Sequence, residues 1–481
     1  MEGAIMDYKP VKTFSELEVK SLDDFVYGIA PHPVKAKNGM VIGAGTVYPE
    51  INMTLPPMNI EESTMPEVRR QYAEMIEGIL KRARDLYAPG IIVELELLPE
   101  TTMKPEWGIE INKILRDKMH EYEDKYGLKS LLRCTPNDTR EILRPPLMKR
   151  GELLENMFIT FEKCAEDGAD ILSIESTGGK EVHDEALVTC NIRKAIFALG
   201  VLGVRDMRFL WSNIVRIAER TGAIAGGDTA CGFANTALAL AEQGMIPRVF
   251  AAVDRVATIP RSLVAFEMGA IGPDKDCGYE GPYMKAIAGV PISMEGKTAA
   301  CAHLSAIGNI AACVCDMWSN ESVQNVKLLS APAPVVSTEQ LIYDCRLMNE
   351  AAADGRSFAL KMRDWLAASD SRLDPQAYVL RPDIVLEISQ ELVKEKDAFI
   401  ATKKAAALAA EVIKRGLARG EVQVSSREKK WLDIISSQIE TIPDDWEEFW
   451  YEIQKELDLE KFRPEEYDLE VIMARGASAG N

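Results

Sequence analysis

No stretch of the sequence approaches the roughly 18 uninterrupted apolar residues that a membrane-crossing helix needs, so no membrane segment is expected. The opening MEGAIMDYKP has no basic segment followed by an apolar one, which argues against a secretory signal and for a cytoplasmic protein. Cysteine is scarce, nine in 481 residues, with no CxxC pair or zinc-ribbon spacing. That excludes a disulfide scaffold and makes most thiols small buried hydrophobes, including the CxC of Cys313 and Cys315 on what reads as an apolar helix. Positive charge is outnumbered, 56 Lys and Arg against 75 Asp and Glu, giving −19. Repulsion from phosphates speaks against nucleic acid. Solubility is the plain reading of that charge, and a partner with a complementary positive patch the sharper one. A GxGxxG nucleotide signature is missing too. VIGAGTVYP, from Val41, matches it in part, but no helix follows and the segment reads as a turn.

What is present is a soluble balance, 47% apolar and 27% charged, able to bury a large core. A helix–glycine–strand unit repeats four times. Val68, Tyr72, Met75, Ile76, Ile79, Ala83 and Leu86 recur at helical spacing, with Thr64 and Glu67 as a capping box, before Pro89-Gly90 and the strand GIIVELELL. Ile111, Leu115, Met119 and Tyr122 mark a helix stopping at Gly127, then LKSLLRCT. Leu154, Met157, Phe158, Phe161 and Ala165 lead to Gly168 and ADILSIES; Trp211, Ile214 and Ile217 lead to Gly222 and AIAGGDT.

Such alternation predicts parallel strands joined by right-handed crossovers, hence an α/β fold. Between a doubly wound sheet and a (β/α)8 TIM barrel, the barrel fits better. It occupies about 250 residues, which suits 66–335. Residues 1–65, with PHP and LPPM, read as an irregular N-terminal extension. Residues 336–481, rich in Ala, Glu, Lys and Leu, read as a helical C-terminal region with a frayed ARGASAGN tail. Barrels collect functional residues where strands end, and here those ends carry Glu94, Glu96, Cys134, Glu175 and Asp228.

Three segments surround a good metal ligand with glycine and polar residues: SIESTGGKE with Glu175, AGGDTACGFANT with Cys231, and GPDKDCGYEGPYMK with Cys277. Glycine lets backbone approach where a Cβ would clash, and a helix N-terminus at Cys231 would favour its thiolate. Two thiolates and one carboxylate fill three corners of a zinc tetrahedron and leave the fourth for substrate. Two plainer readings stand beside this one. A glycine-flanked cysteine is more often a packing residue, and Glu175 could pair with Lys180.

The stretches LSIESTGGKEV (172–182), GGDTACGFANTA (226–237), PRSLVAFEMGAIGPDKDCGYE (260–280), SMEGKTAACAH (293–303) and WSNESV (318–323) resemble the methanol:corrinoid methyltransferase family. So do ILKRARDLYAPGIIVELE and YDCRLMN (343–349), in the same order, from about Val41 to about Asn349, with weaker traces such as DPQAY (374–378) later. The resemblance implies a (β/α)8 barrel, and zinc on one glutamate and two cysteines, which fall on Glu175, Cys231 and Cys277. It implies methyl transfer from methanol to cob(I)alamin, with zinc polarising the alcohol oxygen because hydroxide leaves poorly. An acid that shares proton delivery is expected, with Asp228, Asp276, Glu295 and His303 as candidates.

The four histidines (His32, His120, His183 and His303) sit in no DxHxxG motif, by which corrinoid carriers ligate cobalt. The resemblance then implies that the corrinoid is carried by a separate corrinoid protein docked over the barrel mouth, in an assembly with a homodimer core or a heterotetramer. A monovalent cation as second metal has no assignable place. The same zinc chemistry on another methyl donor, a methylthiol or a methoxylated compound, is the nearest alternative. A non-catalytic homologue that binds the corrinoid protein is the other.

Overall fold

The computed structural model describes residues 8–53, 58–322, 327–328 and 331–470. The first seven residues, most of LPPM, the last residue of WSNESV and the ARGASAGN tail lie outside them. The first nine strands are β1 (Ile29–Lys35), β2 (Val41–Ala44), β3 (Tyr48–Met53), β4 (Ile91–Glu96), β5 (Ser130–Thr135), β6 (Ile171–Ile174), β7 (Ile224–Asp228), β8 (Ser293–Glu295) and β9 (Met317–Ser322), and two short ones, Lys327–Leu328 and Ala331–Pro332, pair antiparallel after them. Seven of them form one parallel sheet in the order β7-β6-β5-β4-β3-β9-β8, and helices cover its outer face. An irregular eighth stave, 271–276, spans the gap. Ile271 N and Gly272 N donate to the Ala225 and Gly226 carbonyls of β7 at 2.9 and 3.0 Å. Asp274 N donates to the Pro291 carbonyl and Glu295 N to the Asp276 carbonyl, both at 3.0 Å, so the ring of staves closes. The fold is the expected α/β barrel, followed by a helical C-terminal region.

The four helix–glycine–strand units stand where their periodicity puts them. Helices Met65–Asp85, Pro105–Tyr126, Glu152–Glu166 and Val204–Thr221 precede β4, β5, β6 and β7. Gly127 and Gly222 end two of them in the left-handed region, at φ 69° and 72°. Four details differ from expectation. β3 lies in the stretch read as extension, so the sheet begins before residue 66. VIGA of the supposed turn is β2, paired antiparallel with β1. Thr64 makes no capping bond to its helix, because its hydroxyl bonds the Asn59 and Glu61 carbonyls instead. Cys313 ends a short 3-10 turn and Cys315 lies beyond it, both buried.

Along each strand alternate residues face the barrel axis. At the floor these are Ile92, Leu131, Ile171 and Met317, closed from below by Ala36, Met40 and Ile42 of the hairpin in a separate apolar cluster. Higher up the axis becomes polar. Arg133, fully buried, donates to Glu50 (2.7 Å), Ser173 Oγ (2.7 Å) and the Pro273 carbonyl (3.1 Å). Among the described residues, no helix is long and apolar enough to cross a membrane.

Candidate metal centre

At the carboxyl ends of the strands, ligand atoms of Glu175, Cys231 and Cys277 all lie within 4.8 Å of one another. Glu175 follows β6; Cys231 opens a wide helical turn, Cys231–Asn235, after β7; Cys277 follows the eighth stave. Three segments far apart in sequence thus deliver two sulfurs and one carboxylate to one point. The Cys277 thiol donates to Glu175 Oε1 at 2.5 Å. Asn235 Nδ2 donates to the Cys277 carbonyl at 2.5 Å and lies 3.8 Å from the Cys231 sulfur, bracing both cysteines. Lys180 pairs with Asp184 at 2.6 Å, so Glu175 is not its partner.

A cation sits inside this acidic ring. Lys275, fully buried, lies 2.8 Å from Asp276 Oδ1, 3.0 Å from Glu94 Oε1, 3.1 Å from Glu175 Oε1 and 3.7 Å from the Cys277 sulfur. Burial works against its charge, but Asp276, Cys277, Glu94 and Glu175 outweigh it, and the ammonium stays charged. Burial raises Glu94 well above the usual carboxylate range. Burial and then the Glu175 charge push Glu96 up to about 7. The hydrogen bond from Cys277 lowers the Cys231 pKa, but burial and the charges of Glu175 and Glu295 win, lifting it to about 12. The helix-terminus effect expected at Cys231 is thus overridden by its anionic surroundings. A divalent cation bound here would displace the protons of such thiols, releasing them to solvent.

The donor set fits zinc, which takes thiolate and carboxylate ligands and, in catalytic sites, keeps one position open. The candidate proton donors fall into two groups. Asp276 and Glu295 have ligand atoms within 4.8 Å of the Cys277 sulfur, and His303 Nε2 is 3.7 Å from Glu295 Oε2. Both oxygens of Asp276 are engaged, by Lys275 and by Ser319 Oγ at 2.6 Å. Asp228 is engaged otherwise: it accepts from Trp211 Nε1 at 2.9 Å and from Ser176 N at 3.2 Å, clamping the loop after Glu175. Burial raises it to about 6. Of the strand-end residues read from sequence, Cys134 faces the helices, beside Cys164. Its neighbours Arg133 and Thr135 turn inward, Thr135 donating to Glu94 at 2.6 Å.

The model of the methanol-cobalamin methyltransferase B subunit family matches residues 11–468. The chain belongs to this family. It is 37% identical to the methanol–corrinoid protein co-methyltransferase of Methanosarcina barkeri over 463 residues, 95% of this chain and 99% of that one. It also superposes on a chain of the crystal structure of the methanol:cobalamin methyltransferase complex MtaBC from the same organism. That match has a TM-score of 0.90 at 36% identity and covers 95% of this chain and all of the other. Sequence reading missed two buried cations of this family member, Lys275 and Arg133. A lysine set among acids in GPDKDCGYE was the available signal for the first.

Proposed function

We propose that this chain moves the methyl group of methanol to cob(I)alamin carried by a separate corrinoid protein, with zinc held by Glu175, Cys231 and Cys277. The observation that carries the reading is the convergence of those three ligand atoms within 4.8 Å at the barrel mouth. Family membership supports the substrate and the partner. The zinc would supply Lewis acidity at the alcohol oxygen, the property an unactivated alcohol lacks. In the reaction the methyl–oxygen bond breaks, its electron pair leaves with oxygen, and the methyl group ends on the corrinoid cobalt.

The chain's own residues do the rest. Three anionic ligands exceed a divalent charge by one, and Lys275, touching Glu175 and Cys277, offsets that surplus. Asn235 braces both cysteines, which would hold the ion with them in a fixed place. The Glu295–His303 pair is the better proton source for the departing oxygen, since Asp276 is tied to Lys275 and Ser319, and Asp228 to Trp211 and Ser176. A dimeric core with one corrinoid protein per chain is the assembly this reading takes.

Metal analysis of the purified protein should find about one zinc per chain, as expected for a single catalytic site. Cys231→Ala and Cys277→Ala should each lose it. Zinc retained by both variants would overturn the ligand assignment. Methylation of free cob(I)alamin with methanol as donor, absent with methylthiols or methoxylated compounds, tests the substrate.

A further inference from the structure

The loop that carries Glu175 is held from an unexpected quarter. Between β6 and the helix Lys180–Thr189, the backbone groups of Ser176, Thr177 and Gly179 have named partners. Ser176 N donates to Asp228, the Ser176 carbonyl accepts from Arg261 Nη2 at 2.8 Å, and Thr177 N donates to Asp138 Oδ2 at 2.8 Å. Those partners belong to the barrel. The last does not: Gly179 N donates to the hydroxyl of Tyr467, 288 residues downstream, at 2.9 Å. Gly179 needs that care. Its φ is +88°, and a Cβ there would stand 2.7 Å from the Ala198 carbonyl, so its geometry is fixed by backbone rather than by a side chain.

Tyr467 is fully buried, and its hydroxyl also donates to Glu181 Oε1 at 2.8 Å. Beside it, Glu466 accepts from Met148 N and Lys149 N, both at 3.0 Å, and from Arg150 Nε at 2.8 Å. These three residues belong to the loop that follows β5. The two loops are also joined from within: Thr177 N and Thr177 Oγ1 donate to Asp138 Oδ2 at 2.8 and 2.9 Å, while Arg140 pairs with Asp138 and donates to the Met148 carbonyl at 2.9 Å. Arg205 in turn fixes the segment itself, donating to the Tyr467 and Asp468 carbonyls at 2.9 Å. Two adjacent side chains near the end of the helical C-terminal region therefore fasten two loops of the barrel mouth.

We infer that Glu466 and Tyr467 form a clasp that sets the position of the Glu175 loop, so that the helical C-terminal region controls metal affinity. The inference rests on the metal reading given above. Tyr467 is a positioning residue: it acts on the centre through Gly179 and touches none of the ligands. Tyr467→Phe keeps the ring and its packing but leaves the buried Gly179 N–H without an acceptor. Glu466→Gln keeps the shape and removes the charge that Arg150 meets.

The test uses the full-length protein. The zinc dissociation constant is measured by competition with a chromophoric chelator, and the thermal midpoint of the zinc-free protein is measured alongside. The clasp predicts that Tyr467→Phe weakens zinc binding about tenfold, the scale of one lost buried hydrogen bond. It predicts a smaller loss for Glu466→Gln, a modest fall of the zinc-free midpoint in Tyr467→Phe from the unsatisfied Gly179 N–H, and a loss of zinc affinity beyond what that fall accounts for. Zinc affinity unchanged in both variants overturns the clasp. So does a loss of affinity matched by an equal loss of stability in the zinc-free protein, which would make Tyr467 a packing residue. A wild-type chain that binds no zinc fails the metal reading itself, and the clasp falls with it.

Discussion

The two ends of the barrel are built from the same alternating positions yet are opposite in character. β4 turns Ile92, Glu94 and Glu96 inward, β5 turns Leu131, Arg133 and Thr135, and β6 turns Ile171, Ser173 and then Glu175. The first of each series closes a dry floor with Ile42 and Met40 of the hairpin, and the later ones surround Lys275 and the candidate ligands. Position along a strand, rather than strand identity, decides whether an inward residue stabilises the fold or serves the site. Burying charge is costly unless it is paired, and the mouth meets that cost with Arg133 and Lys275.

Variants at the two ends should therefore fail differently. The largest effect is expected from Arg133→Met, which leaves Glu50 buried without a counter-charge and releases the Pro273 and Asp274 carbonyls ahead of Cys277. Denaturant unfolding should show a loss of about 3–5 kcal/mol, and zinc content should fall with it. A further Glu50→Gln change should recover part of the stability but not the zinc. Ile42→Ala, at the floor, should cost about 2–3 kcal/mol through the cavity it leaves while zinc content stays at wild type. A floor variant that loses metal would erase the contrast between the ends.

The smallest effect concerns pH. Burial pushes Glu181, under the Tyr467 hydroxyl, up to about 7. The folded chain then holds a proton that the unfolded chain gives up near pH 4.5, so this group lowers stability as pH rises from about 4.5 to about 7. Glu181→Gln should flatten that part of the midpoint-against-pH curve for the zinc-free protein. An unchanged slope would show that Glu181 is ionised in the fold.

The helices and β4 to β7 were legible because their apolar positions repeat cleanly and glycine marks the stops, as at Gly127 and Gly222. β3 was not: its inward Glu50 and Asn52, and Pro49 before them, give YPEINM the composition of a loop. The eighth stave has no strand pattern either, and only backbone bonds to β7 and β8 reveal it. At the site, residue types that bind metals pointed to Glu175, Cys231 and Cys277, and the resemblance assigned them the ligand role. Within SLLRCT the alternation that turns Arg133 inward also turns Cys134 outward, so parity alone separates that cysteine from the site. The Tyr467 clasp leaves no local trace, because its meaning lies in a contact across the whole chain.

X-ray absorption at the zinc edge of the purified protein reaches the centre most directly. Two sulfur scatterers at about 2.3 Å, with only light atoms completing the shell, are the predicted result. A zinc shell with one sulfur or none would contradict the convergence of Cys231 and Cys277 with Glu175 on a single ion.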